Sequence, residues 1–379
     1  METTAAGPSE LPQGRDDVVS VGSAFKDQRP PGIPHGLDFA GSAGEYFRIW
    51  IVNIALSILT LGIYSAWAKV RTRKYFYGST SLAGASFDWD ANPVSILKGR
   101  IIAVLVIGGF TLLGNISPIA MILFYLMLIP LYPWIVVRSM IFNLRHTTYR
   151  NVRFGFDGRY WEAFKVYILW GLVIVLSFGL AYPFVAHRMR RFMTERSRFG
   201  STSFSFNGDI GFYYLVYVIA YLVYIGAAVV MAIGLGGAFV VMGPESFETE
   251  GSEPPVGVLV AMVLAYALVV VVMTLTGVAI STFISNHAWK RTRLGDKVFM
   301  HLDLNVWRVL WLTVSNLFLI IVSLGLAIPW ATVRITRYSL SRFTVYSEDT
   351  LDGFAAGENQ MASALGEEFG DVMDFDIGD

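Results

Sequence analysis

The sequence predicts a polytopic α-helical membrane protein, built from internal repeats with re-entrant or kinked helices, plus a small cytoplasmic β-rich layer. Three observations carry that expectation. Hydrophobic residues make up 54% of the 379 positions and charged residues only 15%, where a soluble domain carries roughly 25% charge. Seven apolar segments, near 46–68, 101–117, 119–137, 161–186, 211–242, 256–285 and 306–332, approach or exceed the about 20 residues a helix needs to cross a bilayer. A glycine-centred stretch recurs without gaps at three places in the chain. The chain has no cysteine, which excludes disulfides, thiolate metal sites and cysteine nucleophiles.

Residues 1–38 are rich in Gly, Pro and Ser and lack an apolar run, so they read as a disordered N-terminal tail. Residues 348–379 hold ten acids and no base and read as an acidic disordered tail. Its Phe and Met residues offer a docking surface for a protein partner. The span between, 39–347, is the repeat-built membrane domain. The formal charge of zero conceals a segregation: once both tails are set aside, this domain holds 26 bases against 13 acids. A basic balance confined to membrane connections points to anionic lipid and away from nucleic acid.

Connections 69–100, 138–160, 187–210 and 286–305 are basic, whereas 243–255 carries four glutamates and no base. Basic short loops face the cytoplasm. Segments 161–186 and 306–332 are flanked by basic connections on both sides, which a single crossing cannot satisfy. Both contain the repeat. Leu59–Arg71, centred on Gly62, aligns with Leu176–Arg188, centred on Gly179, and with Val322–Arg334, centred on Gly325. Glycine weakens a helix, and the proline four residues after Gly179 and Gly325 breaks one. Each repeat then reads as a hairpin that enters and leaves on the cytoplasmic face. A kink in a full-length span is the other arrangement these glycines permit. With hairpins, four segments cross, both tails are cytoplasmic and the acidic loop is external.

A second recurrence follows the helices. Phe87-Asp88-Trp89-Asp90, Phe154-Gly155-Phe156-Asp157 and Phe204-Ser205-Phe206-Asn207 alternate apolar and polar residues before a turn signal, which is the strand pattern. Phe299-Met300-His301 and Phe343-Thr344-Val345 are weaker versions.

The stretch Phe47–Trp89, with Thr60-Leu61-Gly62-Ile63-Tyr64, Trp67-Ala68-Lys69-Val70-Arg71 and Gly84-Ala85-Ser86-Phe87, resembles the YjgN-like family of bacterial inner-membrane proteins. The likeness extends over roughly residues 38–347. It implies a multi-pass protein of the bacterial inner membrane and supplies no catalytic residue.

Candidate chemistry is sparse. The five histidines show no metal-ligand spacing, and no nucleotide or hydrolase motif occurs, so neither metal, cofactor nor enzymatic activity is expected. The informative pairs are Trp67/Arg71, Trp134/Arg138, Phe184/Arg188 and Trp330/Arg334. At i and i+4 each pair shares a helix face. The ring suits the bilayer interface and the guanidinium reaches phosphates beside it. These eight residues form the expected lipid-headgroup or anion site. Asn53 and Asn316 occupy equivalent repeat positions and would line the path of a small solute or lipid if the protein were a transporter or channel. Anionic-lipid binding is the first expectation and transport the alternative.

Overall fold

The computed structural model describes residues 30–242 and 256–361. The acidic connection 243–255, residues 1–29 and residues 362–379 lie outside the described residues, and with them most of both expected tails.

Ten short strands alternate with helices along the chain. The first unit is β1 (Ile33–Phe39), α1 (Ala43–Leu59), α2 (Ser65–Gly78) and β2 (Thr80–Leu82). The second is β3 (Ala85–Trp89), α3 (Pro93–Ile116), α4 (Pro118–Arg145) and β4 (Thr147–Tyr149). The third is β5 (Val152–Phe156), α5 (Tyr160–Phe164), a π-helical turn Lys165–Leu169, α6 (Trp170–Leu176), α7 (Tyr182–Glu195) and β6 (Ser197–Phe199). The fourth is β7 (Thr202–Phe206), α8 (Ile210–Met242), α9 (Val256–Lys290) and β8 (Thr292–Leu294). The fifth is β9 (Val298–Leu302), α10 (Val306–Val322), α11 (Ile328–Ser341) and β10 (Phe343–Ser347). A last helix, α12, covers 351–361.

The strands overturn the expected small β-rich layer. They form a closed, ten-stranded antiparallel barrel in which every strand pairs with its sequence neighbours and β1 pairs with β10, Ile33 opposite Ser347. Closure leaves no strand edge unpaired, which is how strands of three to seven residues persist. The chain holds five strand–helix–helix–strand units, more than its three obvious glycine-centred copies suggest. One backbone bond recurs in all five, joining the residue after each outgoing strand to the residue before the returning one. The N–H donors Ala40, Asp90, Asp157, Asn207 and Asp303 reach the carbonyls of Ser79, His146, Arg196, Arg291 and Arg342 at 2.9, 3.1, 2.8, 3.0 and 3.2 Å.

Two strand assignments shift accordingly. The fifth outgoing strand turns at Leu302-Asp303, so its motif begins at Met300 rather than Phe299. Phe343–Val345 lies on a returning strand, and the matching outgoing strand is β1. Most of β1 falls within the stretch expected as a disordered tail. Its short alternation through Leu37 and Phe39 is set among Gly and Pro, which masks it.

All five helical hairpins leave one end of the barrel and return to it. Successive units meet at the other end in tight turns: Leu82 faces Ala85, Tyr149 faces Val152 and Phe199 faces Thr202 across two-residue loops. Ala83-Gly84 and Arg150-Asn151 take positive φ at both positions, the geometry that matches strand twist. α12 closes this turn-bearing end. Leu351, Phe354 and Ala355 pack into the barrel core, and Phe354 stacks on Phe199. Residues 351–361 were expected as solvated acidic tail, and the aromatic and methionine residues there dock on the chain's own barrel.

The units differ in hairpin length. α3, α4, α8 and α9 contain four helices long and apolar enough to cross a membrane, Pro93–Leu112, Ile119–Arg145, Ile210–Gly234 and Leu259–Lys290, with almost none of their residues buried in the chain. The first, third and fifth hairpins have outgoing arms spanning 43–59, 160–176 and 306–322. At 1.5 Å per residue these reach about 25 Å, short of the roughly 30 Å hydrocarbon core. Pro183 and Pro329 open the returning arms α7 and α11 at the first helical turn, where the missing N–H costs nothing.

Candidate functional site

The three short hairpins share one tip. Leu61, Phe178 and Leu324 sit at φ 49, 51 and 50°, followed by Gly62, Gly179 and Gly325 at 90, 89 and 91°. The glycines accept a conformation that other residues resist. Each glycine N–H bonds back to a helix carbonyl, Ser57, Ile174 or Ile320, at 2.7–2.8 Å. Thr60, Ser177 and Ser323 add a further bond: their hydroxyls accept from the N–H of Tyr64, Ala181 and Ala327 at 2.9–3.0 Å. The turn thus satisfies its own backbone, as a chain reversal in lipid must. The tip side chains Leu61, Phe178 and Leu324 are 95, 96 and 93% exposed. Large apolar groups held outward at the far end of an apolar hairpin suit a hydrocarbon environment.

Nearer the barrel, Trp161, Trp307 and Trp311 project outward from the first turns of the outgoing arms. Tryptophan favours the membrane–water boundary. The aromatic–arginine pairs lie on the returning arms. Arg138 sits over Trp134 at 5.7 Å, Arg188 over Phe184 at 5.1 Å and Arg334 over Trp330 at 4.9 Å. The first unit departs from the pattern. Trp67 stacks on Tyr64 instead and Arg71 is exposed. There Arg73 takes the inward position, lying over Trp89 at 4.8 Å and donating to Asn143.

Two basic crevices gather these side chains with others the sequence had not marked. One of about 490 Å³ is lined by Arg308, Arg334 and Arg337 beside Trp330 and Leu312, with no carboxylate in its wall. A second of about 460 Å³ brings together His187, Arg188, Arg191 and Arg291, with Asp209 as its one acid. The spacing Arg188/Arg191 and Arg334/Arg337 was the available signal, since i and i+3 share a helix face.

Asn53 and Asn316 bridge the two arms of their hairpins. Asn316 donates to the Ala331 carbonyl at 3.3 Å and accepts from Arg334 at 3.1 Å. Asn53 donates to the Ala68 carbonyl at 3.5 Å and to Thr72 at 3.4 Å. Both are buried, at 6 and 8% exposure. The geometry makes both of them arm-to-arm ties, and Asn53 also lines a surface crevice of about 590 Å³ with Ser57, Ser65 and Lys69.

The barrel interior was not foreseen at all. Side chains of an eight-stranded barrel just fill its interior, and ten strands enclose more room. The result is a cavity of about 620 Å³ walled almost wholly by apolar side chains, among them Leu37, Phe154, Phe204 and Met300. α12 forms its floor. Glu358, 2% exposed, anchors that helix by accepting from the Ser201 N–H at 2.6 Å, the Ser201 hydroxyl at 2.8 Å and the Thr202 hydroxyl. Burial alone would raise the Glu358 pKa, but these hydrogen bonds outweigh it and hold the carboxyl below its ordinary value. Asp352 pairs with Arg150, and Asp349 with Lys297 at 2.7 Å, so α12 and its approach are tied to several turns at once.

Residues 34–372 match the family described as bacterial protein of unknown function (DUF898). Over 149 residues the chain is 30% identical to the protein named inner membrane protein YjgN of Salmonella typhimurium, covering 38% of either chain. It is 28% identical over 142 residues to the protein of the same name in Escherichia coli, covering 35% of that relative. The chain therefore spans well under half the length of these curated relatives. No solved structure matches.

Proposed function

The chain belongs to the DUF898 family of bacterial proteins, and from that premise we propose that it is a non-enzymatic protein of the bacterial inner membrane. In this reading it binds and organises anionic lipid at the cytoplasmic face. Its four long apolar helices and the printed names of its relatives support the membrane placement. The barrel stands on the cytoplasmic side in this reading, because the basic residues cluster where the hairpins join it. β1 begins and β10 ends at the turn-bearing end, which supports two cytoplasmic tails in this reading.

One observation carries the lipid assignment: three arginines, Arg308, Arg334 and Arg337, converge beside Trp330 in a crevice without a carboxylate. Among the described residues, no acid pairs with any of them. Uncompensated guanidinium groups near an aromatic belt favour phosphate, which they bind through paired N–H donors. The transport alternative has less support: Asn316 uses both its donor and its acceptor in ties between arms, and Asn53, which lines a crevice beside Ser57 and Lys69, is the one residue that still favours a path.

Native mass spectrometry of the full chain with phosphatidylglycerol tests this. The triple variant Arg308→Gln, Arg334→Gln, Arg337→Gln should retain several-fold less anionic lipid than the parent, with retention of phosphatidylcholine unaltered. Equal retention of anionic lipid by both proteins would defeat the proposal.

A further inference from the structure

The cavity of about 620 Å³ lies within the roughly 300–1,000 Å³ typical of small-ligand sites. Water finds few hydrogen-bond partners in an apolar void, and the side chains around it forfeit dispersion contacts on one side. The hydroxyls near its floor are already used: Tyr149 donates to the Leu82 carbonyl at 2.8 Å, and Ser201 and Thr202 donate to Glu358. Nothing at that end recruits water. At the opposite end the wall is made by the barrel-proximal turns of α2, α9 and α11, where Tyr77, Trp289, Thr336 and Ser339 introduce polar atoms. The site is therefore apolar at depth and amphipathic at its rim. The rim faces the hairpins, and the floor under α12 faces away from them.

A charge lies just behind that rim, on the ring of Trp289, which lines the cavity. Arg190 lies over the Trp289 ring at 4.8 Å. Its Nε is buried without a hydrogen-bond partner, and no described carboxylate pairs with it. A buried unpaired guanidinium donor is costly unless an anion completes it.

We infer that the barrel is a receptor for the acyl chain of an anionic amphiphile, which enters from the hairpin-bearing end, lies above α12 and sets its head group beside Arg190. The inference rests on the lipid-binding reading only for the membrane as the source; the cavity and Arg190 are independent of the surface crevices. A membrane phospholipid and a free fatty acid share this chemistry.

Photocrosslinking distinguishes them. The full chain in nanodiscs would be given phosphatidylglycerol with a diazirine at the acyl terminus or, separately, a fatty acid so labelled. Adducts are expected on Phe154, Phe199 and Leu351, deep in the barrel. The arm that yields them identifies the source. Met300→Trp, which fills the cavity, should reduce barrel adducts several-fold while adducts on the hairpin tips persist. Ala355→Leu, at a residue that lines the cavity, serves as a second filling variant should the first fail to fold. Arg190→Gln should also lower barrel adducts, and unchanged barrel adducts would overturn the head-group assignment. Adducts confined to hairpin tips and long helices with both probes would overturn the inference. Anionic lipid retained in the mass spectrometer without barrel adducts would leave the surface proposal standing and end this one.

Discussion

At Gly158 and Gly208 the space for a side chain is already taken. A Cβ there would lie 2.3 and 2.2 Å from ring carbons of Phe156 and Phe206. These rings fold over the glycine two residues on and pack under the hairpins, Phe156 against Val137, Ala163 and Phe192, Phe206 against Tyr213 and Ala288. Gly208→Ala must displace the ring and should cost about 1–3 kcal/mol, read as a lower thermal midpoint in detergent. The two asparagines should respond unequally. Asn316→Ala breaks the tie to Ala331 and strips Arg334 of an acceptor, and should cost about 1–2 kcal/mol. Asn53→Ala loses only two long contacts and should cost less; the same midpoint measurement compares them. The sequence made the asparagines visible by their equivalent positions, but polar residues in an apolar segment suit a path and a tie equally. Only the i to i+15 bonding across the hairpin distinguishes the two. The glycine after each aromatic was visible too, yet nothing in one chain says that a ring will lie on it.

The hairpins and the terminal helix are the elements that decide how the molecule meets its surroundings. Hairpin breaks at Gly62, Gly179 and Gly325 were legible because three gap-free copies preserve them. Their hydroxyl caps at Thr60, Ser177 and Ser323 were legible in the same alignment once read as helix starts. Replacing Leu61, Phe178 and Leu324 together by Asp should lower the thermal midpoint in nanodiscs more than in detergent, because three charges cannot sit in hydrocarbon cheaply. α12 was hidden by its composition: ten acids after residue 347 resemble a solvated tail, and Glu358 gives no sign that hydroxyls await it. Glu358→Ala should loosen the helix by about 2 kcal/mol, seen as faster hydrogen exchange over 351–361. The pH dependence has a definite sign. Docking lowers the Glu358 pKa, so its contribution is complete above the ordinary value of 4.5 and is lost as pH falls through the lower, docked value. Exchange over 351–361, corrected for intrinsic rates, should therefore stay slow at neutral pH and rise only on acidification below 4.5.

At the scale of the whole molecule, five hairpins stand on one closed barrel, and Arg337 of the fifth unit donates to the Gly41 carbonyl of the first at 2.9 Å, completing the ring. The membrane character was plain from composition. The barrel was not, for two physical reasons. Strands of three residues, such as β2, β4, β6 and β8, are too short to show alternation. The second and fourth hairpins are long enough to cross a membrane, and their extra length destroys any constant period between copies. Charge told more: connections basic on both sides of a segment require its ends to lie together, and the barrel brings them together. The most direct measurement is the accessibility of single cysteines introduced into this cysteine-free chain. With a membrane-impermeant maleimide, Lys297→Cys at the turn-bearing end should label only from the cytoplasm, and Leu324→Cys at a hairpin tip should label from neither side. Labelling of Leu324→Cys from the periplasm would make the fifth hairpin a crossing and contradict the account.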